Sequence, residues 1–87
     1  MKTAKKLELQ YNVIFRPEPE GGFTVLVPAL PGCVSYGRTL KEARQMAADA
    51  IEGYIVSLRK RKEPIPSDDE TFISLVRFSR KKSLAYA

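Results

Sequence analysis

Hydrophobic and polar residues alternate along the first part of the chain. From Leu7 to Phe15 the odd positions are Leu7, Leu9, Tyr11, Val13 and Phe15, and the even ones are Glu8, Gln10 and Asn12 before Ile14. This is the period-two pattern of a half-buried strand. It stops at Pro17-Glu18-Pro19-Glu20-Gly21-Gly22, where prolines withhold backbone donors and glycines permit positive φ, so a hairpin loop is expected. Phe23, Val25 and Val27 then alternate with Thr24 and Leu26, a second strand that the hairpin makes antiparallel to the first. Pro28 and Pro31-Gly32 open a turn, and residues 33–36 read as a short third strand ended by Gly37. The pattern predicts a three-stranded antiparallel meander with one strongly apolar face.

After Gly37 the period changes. Thr39 followed three residues later by Glu42 has the capping-box form, in which each side chain satisfies an otherwise unpaired amide at the start of a helix. Leu40, Ala43, Ala47, Ala50, Ile51, Tyr54 and Leu58 recur at helical spacing and form a stripe that would cover the sheet. Arg59, Lys60, Arg61 and Lys62 fall in the last turn, where the helix dipole favours cations, and Pro64 and Pro66 prevent continuation. Residues 72–78, FISLVRF, are rich in β-forming types and predict a fourth strand. A right-handed crossover would set it parallel to the first or third strand. The expected whole is one α+β domain over residues 1–87, of order β-β-β-α-β, with 80–87 a frayed tail.

Size bounds what such a fold can bury. With 87 residues, 44% hydrophobic and 29% charged, the chain has the composition of a folded domain. One helix on one sheet leaves apolar surface that a second chain would cover, so a homo-oligomer, dimer or tetramer, is expected. No apolar run reaches the roughly 18 residues of a membrane span, and the N-terminus lacks the apolar core of a signal peptide. The expectation is a cytoplasmic protein with no membrane partner.

The residue inventory removes several chemistries. One cysteine and no histidine exclude an internal disulfide, the common zinc sites and a histidine general base. Cys33 reads as a small buried strand residue. Glu8 lies on a strand, Asp49 and Glu52 on the helix, and Asp68, Asp69 and Glu70 in a loop, which is not the converging set that metal-dependent phosphodiester cleavage needs. No cofactor, no metal and no enzymatic activity are expected.

The net charge of +5 is unevenly spread. Residues 1–6 hold three lysines, 59–62 four cations and 77–87 four more, whereas 7–58 hold four cations against six acids and 63–76 only four acids. The ends are basic and the body is mildly acidic. Glu18 and Glu20 in the hairpin, with Asp49 and Glu52 three apart on one helix face, could meet a basic partner. Ile14 and Leu26 sit opposite the main apolar rows and suggest a second sheet face covered by another chain. These six are the candidate partner-binding residues. A small nucleic-acid-binding domain using the basic ends is the alternative reading.

The segment PALPGCVSYGRTLKEA, with Tyr11 in the first strand, Gly22-Phe23 in the hairpin and the later Ile65-Pro66, resembles the N-terminal domain of HicB-type antitoxins. The resembling positions are Tyr11, Gly22, Pro28, Pro31, Gly32, Cys33, Ser35, Gly37, Thr39, Glu42 and Ala43. The resemblance implies a partial ribonuclease-H-like fold of three antiparallel strands, a helix and a fourth strand. It also implies a HicA-type toxin partner, a small basic ribonuclease whose catalytic surface the antitoxin occludes. The family commonly carries a further helix-turn-helix or ribbon-helix-helix domain; this sequence ends before one, so operator DNA binding is not expected. Turn, cap and core chemistry explain the motif itself, so partner contact is expected on the acidic helix face or an exposed sheet surface.

Overall fold

The elements run β1 (Ile14–Pro17), β2 (Phe23–Leu26), β3 (Val34–Gly37) and α1 (Leu40–Lys60), and the computed structural model describes residues 9–80. The expected start of the first strand at Leu7 and Glu8 and the tail over 81–87 lie outside the described residues. The sheet is antiparallel in the order β1-β2-β3. Ile14, Leu26 and Val34 share one cross-strand row, and Phe15, Val25 and Ser35 share the next.

Each connection has a local cause. In the hairpin Glu18 N–H donates to Gly22 O at 3.0 Å and Gly21 N–H to Glu18 O at 2.9 Å, a closure that needs positive φ at Gly21 (108°) and Gly22 (81°). Between β2 and β3 the chain makes a tight loop: Val27 N–H donates to Cys33 O, Leu30 N–H to Val27 O and Cys33 N–H to Leu30 O. Leu30 is fully buried beneath it, with Val27 and Cys33 and against Tyr11, Val13 and Tyr54. The prolines of this loop are exposed, and Tyr54 Oη donates to Pro31 O at 2.8 Å.

The helix starts at Thr39, whose Oγ1 accepts from Glu42 N–H at 3.0 Å. The reciprocal half of the expected capping box is displaced by one residue, since the Glu42 carboxylate accepts from Arg38 N–H at 2.7 Å. At the other end Lys62 adopts φ 58°, Lys62 N–H donates to Arg59 O and Glu63 N–H to Leu58 O. This is a Schellman closure without glycine. The basic cluster thus caps the helix, with Arg61 paired to Glu63 at 3.1 Å.

α1 packs over β3 and β2 and makes little contact with β1. Val25, Ala43 and Ala47 are buried between sheet and helix, with Val13, Phe15 and Phe23 against them. The approach is set by Gly37: a Cβ there would lie 2.4 Å from Ala43 Cα and N, a distance backbone atoms cannot accommodate without moving the helix.

Two sequence expectations change. The first strand pairs only from Ile14, because its partner β2 ends at Leu26 and Val27 turns away into the loop; residues 9–13 keep the alternation without the ladder. Residues 72–78, the expected fourth strand, join no ladder among the described residues: Phe72, Ile73, Leu75, Val76 and Phe78 are exposed and outside the three-stranded sheet. β-forming composition states what such a segment can do and says nothing of which edge receives it.

Gly37→Ala is expected to cost about 1–3 kcal/mol or more by overpacking. Gly53→Ala, in the helix with nothing within 4 Å of the added carbon, is expected to add up to about 1 kcal/mol. Urea unfolding of both variants beside the native chain measures the contrast.

Candidate functional site

Side chains alternate across a strand, so the cross-strand rows sort the sheet into two faces. Phe15 and Val25 face α1. Ile14, Leu26 and Val34 form a row on the opposite face, followed by Arg16, Thr24 and Tyr36. No element among the described residues covers this outer face. Leu26 is half-buried, while Ile14, Val34 and Tyr36 are 38%, 56% and 47% exposed. A solvent-facing side of an antiparallel sheet is ordinarily polar. Here an apolar row crosses all three strands.

The border of this face is built by the hairpin. Thr24 Oγ1 donates to Glu18 Oε2 at 2.5 Å, and Arg16 Nε lies 3.6 Å from the same oxygen. Tyr36 Oη donates to Gly21 O at 2.9 Å, and its ring lies where a Cβ on Gly22 would be, 2.0 Å from Tyr36 Oη. Gly22 is therefore required twice, for its backbone angle and for the tyrosine above it. Glu18 is folded onto the sheet and Glu20 is exposed at the hairpin tip.

The six candidate partner-binding residues do not converge. Ile14, Leu26, Glu18 and Glu20 belong to the outer face and its rim. Asp49 and Glu52 lie on α1, in the opposite layer; Asp49 accepts a long 3.4 Å bond from Gln45, and Glu52 lines a groove beside Leu9 and Tyr11. The structure adds Val34 and Tyr36 to the outer face. Their signal in the sequence is their alternation with buried Cys33.

The motif residues are structural in their contacts. Cys33 is buried in the second core cluster, and burial pushes its thiol above its ordinary pKa, away from the reactive thiolate. Gly37 and Ala43 meet at the sheet–helix contact, and Thr39 and Glu42 cap the helix. Tyr11 Oη donates to Pro66 O at 2.6 Å, joining the two ends of the motif. Burial, followed by the charges of Asp69 and Asp68, raises the Tyr11 pKa and keeps the phenol a donor.

Beside it lies a clasp absent from the sequence expectations. Asn12 N–H donates to Asp68 Oδ2 at 2.7 Å, Asn12 Nδ2 donates to the same oxygen at 3.0 Å and to Thr71 O at 2.8 Å. Asp68 is the one buried charged residue among the described residues, at 8% exposure. The Asn12 backbone N–H holds its carboxyl below the ordinary carboxylate range, against the opposing effect of burial.

Among the described residues no three of His, Cys, Asp or Glu stand together as metal ligands, and no helix is long and apolar enough to cross a membrane. What the arrangement offers is an apolar sheet face with a polar rim, the make-up of a protein-binding surface.

The sequence model of a family described as HicB_like antitoxin of bacterial toxin-antitoxin system matches residues 11–78. UPF0150 protein Ta0767 of Thermoplasma acidophilum is 43% identical over 67 residues, covering 77% of this chain and 97% of that protein. UPF0150 protein ssr1765 of Synechocystis is 39% identical over 69 residues, covering 79% and 87%.

The clasp makes stability pH-dependent in a definite direction. The folded pKa of Asp68 lies below its unfolded value of about 3.9, so the unfolded chain binds more protons in acid, and the stabilisation present above that value is lost as pH falls through the folded pKa. Asp68→Asn is expected to lower the urea midpoint at pH 7 and to flatten its decline below about pH 4. Urea titrations between pH 7 and pH 2 on both proteins measure this.

Proposed function

The chain belongs to the HicB-like antitoxin family of bacterial toxin–antitoxin systems, and from that premise we propose that it neutralises a HicA-type, mRNA-cleaving toxin by covering the toxin's catalytic surface with the outer face of its sheet. The observation that carries this reading is the Ile14–Leu26–Val34 row with Tyr36 beside it, exposed on a face that no element of the described chain covers. An apolar centre with a polar rim provides burial at the contact and orientation around it. Glu18 and Glu20 stand at that rim, the side from which a basic protein would be attracted.

The antitoxin acts by occlusion, without chemistry of its own. Its one cysteine is held as a buried thiol, and its carboxylates are spread over the hairpin, the helix and the loop after it. It works in the cytoplasm, where messenger RNA is cleaved, and as a homo-oligomer, a reading supported by the apolar surface that its single helix leaves bare.

Co-expression with the small basic protein encoded beside it is expected to yield a co-purifying complex, and adding the purified antitoxin is expected to abolish that protein's cleavage of RNA at a stoichiometric ratio. Full cleavage in the presence of saturating antitoxin contradicts the proposal.

A further inference from the structure

Residues 72–78 are an apolar strand-forming segment that no element among the described residues covers. Phe72, Ile73, Leu75, Val76 and Phe78 are 81%, 55%, 86%, 84% and 77% exposed. At roughly 150–200 Å² for a full large side chain, they present on the order of 650 Å² of apolar surface, beyond what a monomer normally leaves in one stretch. Apolar surface of this extent marks an interaction site.

The same chain carries a surface of matching shape. Among the described residues β1 pairs with β2 on one side only, and its other side is an edge of the kind strand addition uses. Because α1 lies over β3 and β2, a groove opens between β1 and the flank of the helix. Tyr11, Val13 and Phe15 form one wall and Ala48, Ile51 and Ile55 the other, in two adjoining hollows of about 550 and 340 Å³ that share Ala48 and Ile51. A strand added to the edge of β1 would place alternate side chains in this groove and pair its backbone with β1 in one step.

We propose that residues 72–78 of one copy add to the free edge of β1 in a second copy, reciprocally, filling each other's groove beneath α1. The chain's own arm is diverted from its own edge by the clasp: Asn12 N–H is taken by the Asp68 carboxylate and Asn12 Nδ2 by Thr71 O. The chain therefore crosses the edge at Asn12 and leaves it. Two arms and the surfaces they cover reach the roughly 1,200–2,000 Å² that a stable interface buries. Reciprocal exchange about a two-fold axis uses both arms and both β1 edges, so the exchange itself closes at two chains. The outer face stays open, so the exchange is compatible with the proposed toxin contact and independent of it.

The full chain alone, without any toxin, is the material for the test. Sedimentation equilibrium at about 50 μM is expected to give twice the 9.8 kDa chain mass. Leu75→Asp combined with Val76→Asp is expected to weaken self-association about a hundredfold or more while leaving the helical circular dichroism intact, because both residues lie outside the core. In a Cys33→Ala background, one chain with Ala48→Cys mixed with another carrying Leu75→Cys is expected to form a disulfide-linked pair on oxidation. A monomeric native chain, a dimer unaffected by the arm substitutions, or a cross-link within one chain that carries both cysteines would each overturn the proposal. Toxin neutralisation is read in a separate assay, so failure of either reading leaves the other standing on its own test.

Discussion

Helix α1 rests on the sheet through a contact of backbone on backbone, because Gly37 at the end of β3 brings no carbon toward Ala43. Everything above and below that contact follows from how close it is. Only small residues fit the seam, so Ala43 and Ala47 are buried there, and Val25 fills the centre of the sheet beneath them. The cap at Thr39 starts the helix two residues after the glycine, which leaves no slack in the connection. The helix is thereby fixed over β3 and β2, and β1 is left under-covered on its inner side.

That placement explains why so small a chain has two unfinished surfaces. Among the described residues the outer sheet face has no second layer, and the groove along β1 has no strand in it. One helix cannot cover both faces of a sheet and both of its edges. The prolines, glycines and small residues between Pro28 and Ala43 build the support for these surfaces: the loop over Leu30, the buried Cys33, the seam at Gly37 and the cap at Thr39. The surfaces themselves are made from less distinctive residues such as Ile14, Val34 and Leu75.

Local chemistry was readable along the chain and long-range pairing was not. Alternation gave the three antiparallel strands, and the Thr39–Glu42 spacing marked the first turn of the helix. The first strand's limits escaped because its length is set by β2, where Leu26 is the last paired residue. Leu30 stands between Pro28 and Pro31, and the loop closes over it and buries it. The Asn12–Asp68 and Tyr11–Pro66 contacts join residues about 55 positions apart, and no periodicity reports such a pair. The alternation of their strands places Ile14 and Leu26 on the outer face, whereas Asp49 and Glu52 share their sign of charge with the hairpin acids and not their location.

On the proposed reading the toxin seats on the outer sheet face. Titration calorimetry of the toxin with two double variants tests it most directly: Ile14→Asp with Val34→Asp on that face, and Asp49→Lys with Glu52→Lys on the helix. The account expects the first pair to weaken binding about tenfold or more and the second to leave it nearly unchanged. Loss of binding in the helix variant with full binding in the sheet variant would contradict it.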